Sequence, residues 1–161
     1  MPNQLLKKSR YTISKMFDLV APRYDLLNRL MSFGQDVVWR KRLATLIPQR
    51  PNLRALDLAT GTADSLLMVL KMPQAHVIQS ATGLDISNKM LELARKKVAN
   101  SIFSDKVHLA LGDATQIEMA DHSIDLVTMA FGIRNVDSLE NALSEIYRVL
   151  DEKGRVLILE F

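Results

Sequence analysis

From residue 51 onward the chain alternates short apolar runs with helix-length stretches. Strands are expected near 55–59, 81–85, 107–112, 124–131 and 155–161, and helices near 62–72, 87–99 and 137–150. This rhythm predicts an α/β fold, because consecutive strands joined by crossover helices lie parallel and need cover on both faces. Ligands of such sheets bind beyond the carboxyl ends of the strands. Asp57, Asp85, Asp113 and Asp125 each sit at one end of an apolar run, and the first three of these runs deliver a carboxylate or a turn to one rim.

The first run, Ala55-Leu56-Asp57-Leu58-Ala59, continues into Thr60-Gly61-Thr62-Ala63-Asp64, a small-residue turn that opens a helix. The second ends on Asp85, 24 positions after Gly61. A strand, a glycine turn and an acid about 20 residues on is how doubly wound folds hold a nucleoside, the acid accepting from both ribose hydroxyls. A dinucleotide site needs further glycines so that backbone N–H groups can close on a pyrophosphate, and this turn has only Gly61. Acids around such a turn suit a ligand with a cationic amino-acid end and a neutral adenosine, as in S-adenosylmethionine. Asp85 then takes the ribose diol, Asp113 lies near the adenine amino group, and Ala114 offers backbone beside the ring. Gly61 and Thr62 hold the methionine portion, flanked by Asp57 and Asp64. Asp64 also reads as a helix N-cap.

Composition excludes several rivals. With 161 residues, 48% of them apolar, the chain is long enough for one sizeable core. It shows no secretory leader and no apolar run of about 18 residues, so a soluble, cytoplasmic protein is expected. There is no cysteine for a disulfide, thiolate metal site or nucleophile, and His76, His108 and His122 are scattered, which leaves no expected metal site. Residues 1–50 carry ten basic and three acidic side chains, whereas 51–161 carry eleven and fifteen. The basic N-terminal part suits an anionic membrane face or the solvated side of amphipathic helices, and no aromatic RNA-binding signature accompanies it. Its apolar spacing predicts helices over about 12–46, interrupted at Pro22 and Ser32-Phe33-Gly34. Two parts are expected: an N-terminal helical cap over 1–50 and a cofactor-binding core over 51–161.

The fourth strand runs out through Phe131-Gly132-Ile133-Arg134-Asn135-Val136, which brings a guanidinium and a carboxamide to the same rim. These residues, with Ala142-Leu143-Ser144-Glu145, Tyr147-Arg148-Val149-Leu150 and Leu159-Glu160-Phe161, resemble a signature of the menaquinone/ubiquinone biosynthesis C-methyltransferases. Phe17-Asp18-Leu19-Val20-Ala21-Pro22-Arg23-Tyr24-Asp25 through Trp39-Arg40-Lys41 is similar to that family's other signature. The resemblance implies a class I S-adenosylmethionine-dependent methyltransferase fold, Rossmann-like, with a mostly parallel sheet. It implies methyl transfer to a ring carbon of a polyprenylated hydroquinone, demethylmenaquinol before the ubiquinone-pathway benzoquinol. Arg134 would stabilise a phenolate and Asn135 hold the second ring oxygen. Tyr24 and Asp25 would close over the ring, with Asp25 a candidate proton acceptor. Leu26, Leu27, Leu30, Met31 and Phe33 would line an isoprenoid channel or form ordinary core. Expected partners are the quinol, a peripheral contact at the inner membrane face and a second copy of the chain, but no nucleic acid.

Some residues depart from the family pattern. Ala63 stands where a third glycine is usual, Asp36-Val37 replaces a His-Arg pair, and Asp151-Glu152-Lys153-Gly154 replaces a Lys-Pro-Gly-Gly turn. An alanine is harmless at negative φ and strained at positive φ. Family members also continue beyond the Leu-Glu-Phe strand, so a fragment lacking the last strands is expected. A non-catalytic, methyltransferase-like scaffold subunit is the alternative of a different class.

Overall fold

The computed structural model describes residues 15–19 and 35–160. Residues 15–19 are helical. Then follow α1 (Gln35–Ala44), β1 (Leu53–Leu58), α2 (Asp64–Leu70), β2 (Ile78–Asp85), α3 (Asn88–Ala99), β3 (Val107–Leu111), β4 (Ile124–Ala130), α4 (Leu139–Val149) and β5 (Leu150–Leu159). Short 3₁₀ turns occupy Pro73–Val77 and Ile133–Asn135. The five strands pair in parallel in the order β3-β2-β1-β4-β5. The order reverses between β1 and β4, and that reversal opens a crevice at the carboxyl ends of the two strands.

Period-two alternation distributes the apolar side chains to the two faces. Leu53 and Ala55 of β1, Leu126 of β4 and Leu157 of β5 pack with Leu43 and Ala44 of α1, with α2 and with Ala94 and Val98 of α3. On the other face Leu56 and Leu58, Leu84, and Val127 and Met129 pack with Ala142, Ile146 and Val149 of α4. β1 and β4 are therefore covered on both sides, which is why their sequences are almost continuously apolar.

Two serines start two of the helices. Ser87 Oγ accepts from Met90 N at the head of α3, and Ser138 Oγ accepts from Asn141 N at the head of α4. Each caps a helix that buries one stripe: Met90, Leu91, Ala94 and Val98 in α3, and Ala142, Ile146 and Val149 in α4.

The last strand departs from the expected 155–161. β5 begins at Leu150, which pairs with Ile124, and the next pairing joins Leu126 to Arg155. Asp151-Glu152-Lys153-Gly154 therefore interrupts the ladder as an enlarged bulge, four residues opposite Asp125 alone. The polar turn read from these residues is present, but one rung of pairing precedes it. β3 lies at one edge of the sheet and β5 at the other, and Val156 and Ile158 of β5 are exposed.

Candidate active site

The turn between β1 and α2 has an unusual backbone. Ala59, Gly61 and Ala63 all have positive φ, at 52°, 57° and 62°. Left-handed residues at alternate positions curl the chain into a tight concave turn; glycine adopts that conformation freely and alanine does so at a cost. Ala63 occupies the N-cap position of α2 without any side-chain cap, and its methyl is fully buried. Asp64 is thus the first residue of the helix rather than its cap. Its carboxylate pairs with Arg40 of α1 at 3.1 Å and lies 3.6 Å from Lys97 of α3. Lys97 also donates to Thr62 Oγ1 at 2.8 Å.

Asp85 ends β2 and ties three segments together. Its Oδ2 accepts from Gly61 N at 2.8 Å and its Oδ1 from Ser87 N at 2.9 Å. Ser87 Oγ in turn donates to Asp18 at 2.5 Å, so the helical residues 15–19 reach the same corner. Burial pushes the Asp85 carboxyl above the usual range, against the pull of the backbone N–H groups of Ser87, Gly61 and Ile86. Asp57, one strand over, is also buried and accepts from Thr128 Oγ1 at 2.6 Å. Its carboxyl is pushed up to about 6, chiefly by loss of solvent, with the Asp85 charge adding to the shift.

Two adjoining recesses open at this rim. The larger, about 670 Å³, is lined by Gly61, Asp85, Asp113, Ala114, Asn135 and, from the N-terminal segment, Phe17, among others. Met90, Met129 and Phe131 contribute apolar wall. The smaller, about 360 Å³, is polar and is lined by Arg40, Asp57, Thr60, Thr62, Asp64 and Ser65, with the turn itself. Ala59, Gly61 and Phe131 border both. Phe131, also at positive φ, is stacked obliquely on Trp39 with ring centres 6.3 Å apart, and the Arg40 guanidinium lies 5.7 Å from its ring centre. Gly132 admits no side chain, because a Cβ there would stand 2.6 Å from Ala59 Cβ. The loop after β4 can therefore close against the turn after β1.

Of the ten residues expected from the sequence, Gly61, Asp85, Asp113, Ala114 and Asn135 line the larger recess, and Asp57 and Thr62 the smaller. Asp113 turns its carboxylate back on its own loop, where Oδ1 accepts from Thr115 N and Thr115 Oγ1, both at 2.8 Å. Arg134 is not among the residues lining either recess, and its guanidinium is ion-paired with Glu160. Tyr24 and Asp25, together with the apolar group from Leu26 to Phe33, lie outside the described residues. Asp125 sits at the opposite rim. There burial works against its charge, but the N–H groups of Arg54 and the nearby Arg50 hold its carboxyl below the usual range.

Sequence reasoning missed Phe17, Phe131, Arg40 and Lys97. Phe17, Phe131 and Arg40 were visible as members of the two signatures, whereas nothing local distinguishes Lys97 from the other lysines of α3.

A sequence model of the ubiE/COQ5 methyltransferase family matches residues 4–161. The chain belongs to this family. It is 46% identical over 149 residues to the ubiquinone/menaquinone biosynthesis C-methyltransferase UbiE of Geotalea daltonii, covering 92% of this chain and 63% of that protein. It is 43% identical to the demethylmenaquinone methyltransferase of Thermotoga maritima, covering 95% and 63%. The chain thus spans somewhat less than two thirds of the length of these relatives. Among solved structures, the [4+2]-cyclase SpnF aligns with a TM-score of 0.79 at 20% identity, covering 93% of this chain and 60% of that one. A SAM-dependent methyltransferase from Aquifex aeolicus aligns with a TM-score of 0.66 at 19% identity, covering 94% and 72%. The fold is that of the class I S-adenosylmethionine-dependent methyltransferases, as expected from the sequence. No helix among the described residues is long and apolar enough to cross a membrane.

Proposed function

We propose that this protein transfers a methyl group from S-adenosylmethionine to a ring carbon of a polyprenylated hydroquinone, with demethylmenaquinol as the preferred acceptor. The observation that carries the reading is the convergence of the Gly61 turn, Asp85 and the Asp113-Ala114 corner on one recess at the sheet's reversal point, beside a polar recess holding Asp57 and Arg40. The two recesses match the two halves of the cofactor. The larger has apolar wall for an adenine and a carboxylate for a ribose diol. The smaller has Arg40 for a carboxylate and Asp57 for an ammonium group. Two buried acids with raised pKa favour a ligand that brings positive charge.

Bound there, the cofactor supplies an electrophilic methyl on a sulfonium. The protein's task is to make the acceptor carbon nucleophilic and to exclude water. A ring carbon ortho to a phenolate is nucleophilic, and a phenol of pKa about 10 needs a cation or hydrogen-bond donor to ionise near neutrality. Arg134 and Asn135 carry that role in this reading, with Asn135 on the recess wall and Arg134 beside it in the same 3₁₀ turn. Tyr24 and Asp25 are assigned to the ring by family resemblance alone. A polyprenyl acceptor resides in a bilayer, so the reading includes a cytoplasmic protein in peripheral contact with the inner membrane face.

The relatives carry both menaquinone and ubiquinone names, which makes the benzoquinol the competing acceptor. The test is calorimetric titration with S-adenosylmethionine, followed by methyl-transfer assays on the complete protein with reduced demethylmenaquinol and with the benzoquinol. Micromolar cofactor binding and faster turnover of the naphthoquinol are expected. Absence of cofactor binding would leave only the scaffold reading.

A further inference from the structure

β3 and β4 are joined by an irregular connection, residues 112–123, where the other strand pairs are joined through helices. Its first residues, Gly112, Asp113 and Ala114, line the larger recess. Asp113 Oδ1 is engaged by Thr115 N and Oγ1, which holds that side chain in one orientation, and the rest of the wall here is backbone and the Ala114 methyl. Contacts of that kind cannot be tuned by rotamer, so their quality depends on where the loop frame is held.

Arg148, near the end of α4, holds it. Nε and Nη2 grip Glu145 Oε1 and Oε2, both at 2.8 Å. Nη2 also donates to Ile117 O at 2.7 Å, and Nη1 to Met119 O at 2.8 Å and Asp121 Oδ1 at 2.7 Å. All five guanidinium N–H donors are thereby used. Glu145 completes the clamp, its Oε2 accepting from Ile117 N at 2.7 Å. Three points of the loop, at 117, 119 and 121, are bound to one side-chain pair, and buried Ala114 and Ile117 share a hydrophobic cluster with Ala142 and Ile146 of the same helix. The fork geometry is specific to arginine, since lysine offers no planar pair of donors.

We propose that Arg148 and Glu145 are positioning residues for the adenosine wall: α4, through this clamp, sets the placement of Gly112-Asp113-Ala114 and hence the affinity for the nucleoside end of the cofactor. The inference rests on the cofactor reading above. Neither residue touches the recess, so the effect on chemistry is indirect and falls on cofactor KM rather than kcat.

The test uses Arg148→Lys, Arg148→Met and Glu145→Gln in the complete protein, with S-adenosylhomocysteine as the titration probe. At least tenfold weaker binding is expected for Arg148→Met and Glu145→Gln, with kcat within twofold of wild type at saturating cofactor. Backbone hydrogen exchange should rise across residues 112–122 while β1 and α3 stay protected. Arg148→Lys, which keeps the charge and loses the fork, should fall nearer Arg148→Met than wild type. Unchanged affinity in a folded variant with a loosened loop overturns the proposal. So does a uniform loss of protection across the sheet, which marks the pair as general scaffolding; if Arg148→Met fails to fold, the other two variants decide on the same criteria. If the wild type itself binds no S-adenosylhomocysteine, the cofactor reading fails instead.

Discussion

Gly61 donates its backbone N–H to Asp85 Oδ2 across 2.8 Å, and this bond fixes the left-handed turn after β1 to the end of the neighbouring strand. The acid that the sequence marks as a ribose ligand therefore also holds the turn in shape. Both tasks use acceptor capacity of one buried carboxylate, which has about four lone-pair sites.

Asp85→Ala removes the backbone tie and the proposed ribose contact together. Hydrogen bonds to a charged group contribute about 1.5–3 kcal/mol, so cofactor affinity should fall at least tenfold. Calorimetric titration checks this, and a change of less than about threefold would show that Asp85 holds the turn without meeting the ribose.

Asp57 gives the protein an unusual pH response. Its folded-state carboxyl is raised to about 6 from an ordinary 3.8, so its favourable contribution is complete below the ordinary value and is lost as pH rises through 6. At about 1.4 kcal/mol per unit, the loss is on the order of 3 kcal/mol. Glu145 runs the other way: the Arg148 fork holds its carboxyl down at about 2, so its contribution is present above the ordinary value and disappears as pH falls toward 2. Asp57→Asn keeps an acceptor for Thr128 without the buried charge. Melting temperatures of this variant should exceed wild type at pH 7.5, and its decline between pH 4 and pH 7 should be shallower than the wild type's, the remainder coming from Asp85, which burial also pushes up. Identical pH profiles would mean that Asp57 is not charged against its burial.

The same shift governs the ligand. A cationic ligand favours ionised Asp57, so below pH 6 binding must expel a proton and S-adenosylmethionine affinity should fall by up to tenfold per pH unit. In Asp57→Asn that slope should become shallower over the same interval, leaving only what Asp85 contributes.

Much of this was legible in the chain. Strand positions were readable because β1 and β4 lie between two helical layers and must be apolar on both faces, and the Gly61-to-Asp85 spacing is imposed by one crossover helix. The left-handed backbone at Ala63 was not readable, since a residue's identity states only what a turn would cost there. Arg40 and Lys97 reach Asp64 from helices far apart in sequence, and only the packing of α1 and α3 beside α2 brings them together. Likewise, the pairing of Leu150 with Ile124 before the Asp151–Gly154 bulge has no local signal, because a leucine ending a helix looks the same whether or not it also starts a strand.

Ala63 has φ 62° at a fully buried position, where glycine would be at ease. Relief of left-handed strain is worth about 1–2 kcal/mol, from which the greater unfolded-state entropy of a glycine and the lost buried methyl each take back a fraction. Ala63→Gly should therefore raise stability by less than about 1 kcal/mol, visible as a melting temperature up to about 3 °C higher. A lower melting temperature would show that the alanine methyl contributes more through packing than its backbone costs.

The last prediction concerns Arg134, whose guanidinium is ion-paired with Glu160 and stands beside the recess wall formed by Gly132 and Asn135. If its partner in catalysis is a developing phenolate, the Glu160 pairing is the resting arrangement and the cofactor site does not depend on it. Arg134→Met should leave S-adenosylmethionine affinity within about twofold while methyl transfer to reduced demethylmenaquinol falls by about 10² or more, the usual cost of losing one oxyanion donor. Glu160→Gln supplies the complementary measurement: it removes the competing carboxylate and leaves the cation, so turnover should be retained and should extend to lower pH, because a guanidinium relieved of that carboxylate stabilises a phenolate more strongly. The assay must use the quinol, since the oxidised quinone has no phenol to ionise and its ring carbon is electron-poor. Full turnover in Arg134→Met removes this residue from the mechanism. Loss of cofactor affinity without a separate rate effect moves it into the cofactor site, and efficient methylation of the oxidised quinone overturns the phenolate mechanism whatever Arg134 does.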